Sequence, residues 1–472
     1  MGDLLSLTLT ELATALHQKK ASPVELLRET FAAVDEKNPK LNAVIAERDR
    51  GAMLEDARAA EARLQKGEGR PLEGIPFGVK DLEDAFGLPT THGSKPYRDH
   101  LPPSDSTQVA RLRAAGGILF GKTNAPEFGT NGITKNLVFG ATRSPWDLER
   151  TPGGSSGGSS AALSAEMLPL VTASDGGGSI RLPASFVGAF GMKPTYGRVP
   201  RGPFTHLALG ATVCYGPLTK TVEDGAFFLD QVAGYDAHDP SSLPKPAVPY
   251  REVVSRPLDR KLKIAYSPDL GYAVVQSDVA AVVEEGVKLL EKLGHSVTRI
   301  SGGPPEMNGE WGLLSAFEIG GQVANLRPHR DSEFGRALVE TWGYAEAMSQ
   351  PVWGSMMEKR AGIVNWAASV FADHDVLVTP TLPYDPPPAR GPFPTETEGR
   401  PQITAGVAAF TIPFNLSGHP ALTVRAGLSK AGFPVGLHMI APHHREDVIF
   451  PLARAFERER PAHPHWPMRG KA

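Results

Sequence analysis

Apolar residues in the first 70 positions recur three and four apart, the spacing of one helix face. In "SPVELLRETFAAVDEKN" these are Val24, Leu27, Phe31 and Val34. Ser22 stands as N-cap, Pro23 falls in the first turn and Glu25 follows three residues after the cap, which together mark a helix start. Thr8 followed by Glu11 reads as a capping box, and "GAMLEDARAAEARLQKGEG" as an amphipathic helix that glycine ends. After this the period shortens. "GIPFGVKD", "GGILFGKTN" and "LPLVTAS" are short apolar runs bounded by Gly, Pro, Asn or Ser, the mark of buried strands. "KLKIAYSP", the helix "SDVAAVVEEGVKLLEKLG" and "HSVTRI" form a β–α–β unit, with Gly294 at the helix C′ position. "DVLVTPTLP" and "ALTVRA" add strands near the C-terminus. The alternation predicts an α/β fold, one large domain with a mixed, mostly parallel sheet covered by helices on both faces. Residues 1–65 are expected as a helical segment packed on a core of residues 66–472. Within that core the proline-rich "SSLPKPAVP" and "TLPYDPPPARGPFP" flank a substrate-facing helical insertion at about 245–400.

Composition narrows the function classes. The 472 residues carry 41% hydrophobic side chains, enough for a large core, and a net charge of −3. That balance offers no basic surplus for nucleic acid or an acidic membrane surface. A single cysteine, Cys214, excludes an internal disulfide framework and a cysteine-rich metal site. The histidines show no metal-ligand spacing, so no metal or cofactor is expected. The N-terminus lacks a basic segment before an apolar one, and no apolar run is long enough for a bilayer. The expectation is a cytoplasmic globular protein acting on a small molecule.

The candidate chemistry lies in "TPGGSSGGSSAALSAEMLPLVTASDGGGSIRLPASFVGAFGMKPTYGR", Thr151 to Arg198. Gly176, Gly177 and Gly178 follow a predicted strand and precede Ser179. Consecutive amides free of Cβ can converge on one point and hold an anion, so this nest would stabilise an oxyanion if Ser179 attacked a carbonyl. The same pattern also suits a plain glycine turn with a helix-capping serine. Upstream, Gly153 to Gly157 fit G-x-S-x-G, which would make Ser155 the nucleophile of a serine esterase with His419 or His438 downstream. That elbow needs a strand directly before it, and "SPWDLERTP" is not one. A phosphate-binding loop fails as well, because no Lys-Ser/Thr follows the glycines. Lys80, at the end of "GIPFGVK", either pairs with Asp81 or Glu83 at the surface or is buried with its pKa pulled from ~10.4 toward neutrality, where it could serve as a base.

Together these stretches resemble the amidase signature family. "PGGSSGGS", an apolar strand, "SDGGGSIR" and "GMKPTYGR" occur in the family's order, and so do "IPFGVKD", "GKTNAPEFG", "FGATRSPWD", "FNLSGHPALTV" and "GFPVGLHMI". The resemblance implies a Ser–cis-Ser–Lys triad with Lys80 as base, Ser155 as the bridging serine in a cis peptide and Ser179 as nucleophile. It also implies an oxyanion hole from the amides of Gly176, Gly177, Gly178 and Ser179. Ser156, Asp175 and Arg181 would support the site, with Asp175 and Arg181 pairing to hold the loop; Lys193 and Cys214 are read as structural. The chain departs from the family at Gly176, where Thr is common, and at Ser144, where Asn is. The implied activity is hydrolysis of C–N bonds in amides, extending to anilides, carbamates or esters, without a cofactor, and dimers are common among similar enzymes. A second member type, the glutamine-hydrolysing subunit of an aminoacyl-tRNA amidotransferase, carries an "RR…LGTY"-like helix where this chain has "RPHRDSEFGRALVETWGY". The residues do not fix the substrate. Trp311, Phe317, Trp342 and Trp353 point to an aryl or apolar group, or else to core packing.

Overall fold

The computed structural model describes residues 4–203, 212–258, 260–346 and 348–461. The N-terminal signals act as read. Thr8 and Glu11 form a reciprocal capping box on the helix Leu9–His17. The Ser22 side chain accepts from the Val24 and Glu25 amides at the start of Pro23–Leu41. Gly67, at φ 77°, closes the helix Arg50–Lys66 in the left-handed conformation that glycine adopts freely. The segment is not wholly helical, however. Val44–Glu47 is a strand, antiparallel to Ile118–Thr123, so residues before 65 are woven into a sheet as well as packed on it.

Two mixed sheets organise the molecule. In the four-stranded sheet the order is Val44–Glu47, Ile118–Thr123, Pro76–Lys80 and Leu170–Val171. Pro76–Lys80 is buried along its whole length and runs parallel to both neighbours. The seven-stranded sheet runs Leu218–Thr219, Phe190–Lys193, Ala421–Leu428, Pro434–Ile440, Val376–Pro380, Lys263–Tyr266 and Ser296–Arg299. Only its last three strands are mutually parallel; the other pairings are antiparallel. The fold is the expected α/β one with mixed sheets, and in the larger sheet the antiparallel pairings outnumber the parallel ones. Ala421–Leu428 and Pro434–Ile440 are joined by a hairpin too short for the crossover that parallel strands need.

Helices cover both faces of the larger sheet, and the two-residue alternation of its strands shows it. Leu437 and Ala426 lie under Gly286 of the helix Ser277–Lys292, close to Phe456 of Glu446–Glu459. Gly436 and His438 point the other way, toward Ser185 and Arg181 of the helix Arg181–Val187. Of the span 245–400, the strands Lys263–Tyr266, Ser296–Arg299 and Val376–Pro380 belong to this sheet. Besides Tyr250–Ser255 and Ser277–Lys292, its longer helices are Asn308–Gln322, Arg336–Glu346 and Gln350–Asp373, which follow one another at 308–373. Residues 151–195 link the two sheets, and the candidate site sits there.

Candidate active site

Lys80 ends the central strand of the smaller sheet, with 1% of its surface accessible. Its backbone amide donates to Thr172 Oγ1 at 3.0 Å, which ties the strand end to the neighbouring segment. Among the described residues no carboxylate pairs with its amine. Asp81 accepts from Thr91 and pairs with Lys122, and Glu83 is taken by Ser106 and Gln108. Burial lowers the Lys80 pKa to about 7, although the charges of Asp175 and Glu83 act in the opposite direction. Three atoms surround Nζ: Ser155 Oγ at 2.8 Å, Ser174 Oγ at 2.9 Å and the Ser174 carbonyl at 3.2 Å. A neutral amine has two N–H donors and one lone pair. The carbonyl can only accept, so it takes one N–H; one serine hydroxyl takes the other, and the remaining hydroxyl can donate to the lone pair.

Ser155 does not sit on a strand-to-helix elbow. Residues 151–156 contain no strand, the Gly154–Ser155 peptide is cis, and the helix Gly157–Ser164 begins two residues later. Ser156 is buried beside it, its hydroxyl 3.4 Å from the Ser174 carbonyl. Ser174, which touches Lys80, begins the loop that carries Ser179.

That loop is wrapped around one carboxylate. Asp175 accepts from the Gly178 amide at 2.7 Å, the Ile180 amide at 3.1 Å, Arg181 Nε at 2.9 Å, Arg181 Nη2 at 2.8 Å and Asn415 Nδ2 at 2.9 Å. Burial by itself would raise the Asp175 pKa. The Arg181 charge and these hydrogen bonds outweigh it and hold the carboxyl well below the usual range. The turn demands glycine at 178: φ is 134°, and a Cβ there would lie 2.0 Å from Leu182 Cδ1 and 2.4 Å from Thr411 Oγ1. Wound in this way, the loop turns Ser179 outward. Every residue from 151 to 195 is buried except Ser179, which is half-buried.

Of the four amides expected to converge, one is spoken for. Gly178 N–H donates to Asp175 because a fully buried carboxylate must be satisfied, and this corrects its assignment as an oxyanion donor. The N–H groups of Gly176, Gly177 and Ser179 have no hydrogen-bond partner among the described residues. The Ser155 and Ser179 hydroxyls are not hydrogen-bonded to each other. Such links are often open in unliganded sites and tighten around substrate.

The histidines offered for an esterase are occupied elsewhere. Arg181 Nη1 donates to His438 Nε2 at 3.0 Å, and His438 Nδ1 lies 3.2 Å from Thr379 Oγ1, whose own proton goes to the Pro380 carbonyl. Burial and then the Arg181 charge push the His438 pKa far down, so the ring is neutral with both nitrogens in use. His419 bonds Ser417 and stacks on His443 at 3.8 Å, with burial lowering its pKa to about 3. Lys193 donates to the Pro194 carbonyl, with buried Cys214 3.9 Å away. Among the four aromatics, Trp342 is core at 1% exposure, whereas Phe317 and Trp353 are exposed at 49% and 42%. Trp311 alone of them touches the nucleophile loop. The sequence reading missed Ser174 and Asn415. Asn415 lay in plain sight within "FNLSGHP", but nothing in that string says which carboxylate it meets. No group of three or more potential metal ligands occurs among the described residues, and no helix there is long and apolar enough to cross a membrane.

Known proteins match this chain over most of its length. A family model described as Amidase matches residues 25–450. The acylamidase of Rhodococcus erythropolis is 36% identical over 470 residues, covering 96% of both chains. A glutamyl-tRNA(Gln) amidotransferase subunit from Syntrophus aciditrophicus (strain SB) is 32% identical over 486 residues, covering 97% of this chain and 98% of its own. Among solved structures, a bacterial aryl acylamidase of the amidase signature enzymes superposes with a TM-score of 0.91 at 27% identity, covering 98% of each chain.

Proposed function

We propose, because this chain belongs to the amidase signature family and hydrolyses amide C–N bonds, that it does so through an acyl-enzyme on Ser179 relayed by Ser155 and Lys80. The observation that carries this reading is that Ser179 alone of residues 151–195 is not fully buried, on the loop that starts at the contact with Lys80. Neutral Lys80 accepts the Ser155 proton as Ser155 Oγ accepts that of Ser179. Ser179 Oγ then bonds to the amide carbonyl carbon, and the carbonyl π pair moves onto oxygen. The free amides of Gly176, Gly177 and Ser179 receive that oxyanion, and each such donor is worth about 3 kcal/mol. As the intermediate collapses, the C–N bond breaks and the proton on Lys80 returns through Ser155 to the leaving nitrogen. Water attacks the resulting ester, its proton passing through Ser155 to Lys80; the bond from Ser179 Oγ to the acyl carbon then breaks, the proton returns through Ser155 to Ser179 Oγ, and the carboxylic acid leaves.

The same addition suits carbamates and aryl esters, whose carbonyls pass through an equivalent oxyanion. Acyl anilides are the substrates we put first, supported by the acylamidase and aryl acylamidase relatives. Hydrolysis of an acyl anilide, an aryl carbamate, a p-nitrophenyl ester and glutamine by the purified chain checks this. Turnover of the anilide without partner subunits is expected. Glutamine as the only substrate turned over would instead place the chain with the amidotransferase subunits.

A base with a pKa of about 7 predicts the pH dependence. The working form is deprotonated, so kcat/KM for the anilide should rise with pH along a limb centred near 7 and level off above it. Lys80→Arg keeps its proton at every accessible pH and should lose on the order of 10²–10⁴-fold with no such limb. A wild-type limb that survives in this variant would assign it to another group.

A further inference from the structure

Trp311 lies in the first turn of the helix Asn308–Gln322, remote in sequence from the glycine loop. Its indole Nε1–H donates to the Gly176 carbonyl at 3.0 Å. The benzo edge of the same ring lies so close to Gly177 that a Cβ there would stand 2.6 Å from Cζ2 and 2.8 Å from Cη2. One side chain therefore bonds the 176–177 peptide and packs directly on it. The next peptide is held separately, with Thr411 Oγ1 donating to the Gly177 carbonyl at 2.6 Å and Asp175 accepting from the Gly178 amide.

We infer that Trp311 is a positioning residue for the oxyanion hole, acting through the peptide plane that joins Gly176 to Gly177. The inference rests on the reading above, in which the free amides of this loop bind the oxyanion. A peptide unit is planar, and in the trans form its C=O and N–H point in opposite directions. Holding the Gly176 oxygen thus fixes the direction of the Gly177 N–H, the group on that plate left without a partner. Glycines at 176 to 178 have no side chains to resist rotation of these plates, so the restraint has to come from outside. Donation to the carbonyl also polarises the N–H at the far end of the unit, which strengthens its pull on an anion. Trp311 is itself held on the apolar cluster of Leu182, Met307, Leu314 and Ile412. A salt bridge from Lys359 to Glu310 ties its helix to Gln350–Asp373. The helical stretch at 308–373 thereby sets part of the catalytic geometry as well as covering the loop.

The test is Trp311→Phe, which keeps an aromatic ring on Gly177 but removes the donor, measured on the anilide beside wild type and Ser179→Ala. The expected result is a kcat about tenfold lower with KM within about twofold, at an unchanged unfolding midpoint. An interaction made with the transition state lowers kcat and kcat/KM together. Inhibition by a trifluoromethyl ketone bearing the same acyl group, whose adduct places an oxyanion in the hole, should weaken by the same factor. Trp311→Leu, without ring or donor, should fall at least as far in kcat. Wild-type kcat in Trp311→Phe overturns the inference, as does a rise in KM alone, or a fall in kcat that leaves ketone inhibition unchanged. If Ser179→Ala retains activity, the underlying reading has failed; an inactive Ser179→Ala beside an unaffected Trp311→Phe removes only the role given to Trp311.

Discussion

Ser179→Ala is expected to reduce anilide hydrolysis by on the order of 10⁴-fold or more while leaving the fold intact. The size of the loss follows from the chemistry. Without Ser179 Oγ there is no acyl-enzyme, and what remains is the residual effect of binding and oxyanion stabilisation on attack by water. Stability should hardly change, because the hydroxyl is half-buried and has no hydrogen-bond partner among the described residues. Ser155→Ala is a useful contrast. It too should be crippled, but it removes the hydroxyl that meets Lys80 at 2.8 Å and leaves the nucleophile in place. Progress curves on an activated aryl ester separate the two, since Ser155→Ala should retain slow acylation and Ser179→Ala none.

The second large effect concerns stability. Arg181→Ala should destabilise the protein by about 3–5 kcal/mol, read from urea unfolding, because it leaves Asp175 charged and fully buried without its ion-pair partner. The Arg181 side chain also donates to Asn415 Oδ1 at 2.6 Å, the Thr411 carbonyl at 3.2 Å and His438 at 3.0 Å. Its loss therefore removes a donor from three further acceptors on two segments. In the wild type the depressed Asp175 pKa contributes stability above pH ~4, lost only as pH falls through the folded value. In the variant much of that contribution is gone, so the deficit against wild type should be full above pH ~4 and shrink as pH falls below it. Replacing both partners, Asp175→Asn with Arg181→Met, should recover part of the unfolding free energy. It should not recover activity, since the loop that turns Ser179 outward is built on the carboxylate.

How far the sequence could be read depends on whether a signal is local. Helix caps depend on a few consecutive residues, so Thr8, Ser22 and Gly67 announced their roles. The amide-hydrolase family was legible for a related reason: its residues lie in short strings whose order along the chain can be checked. Pairing across sheets is not local. Nothing in "AVIAE" says that this stretch joins Ile118–Thr123, and the antiparallel share of the larger sheet depends on a hairpin and on neighbours more than 200 residues apart. Side-chain partners are hidden in the same way. Ser174 looks like an ordinary strand residue until the two hydrogen-bond positions it occupies on Lys80 are counted. Gly178 looks equivalent to Gly176 and Gly177 until Asp175 is seen to take its amide. Trp311, Phe317, Trp342 and Trp353 carried one expectation in the sequence, and burial separates them into a loop contact, a core residue and two exposed rings.

Passage of the acyl group through Ser179 can be caught by acid-quenching turnover of a slowly deacylating p-nitrophenyl ester and locating the adduct by peptide mass spectrometry. One acyl group per chain is expected, on the peptide containing Ser179, absent from Ser179→Ala and much reduced in Lys80→Arg. An acyl group on Ser155, or one that persists in Ser179→Ala, would rule out Ser179 as the nucleophile.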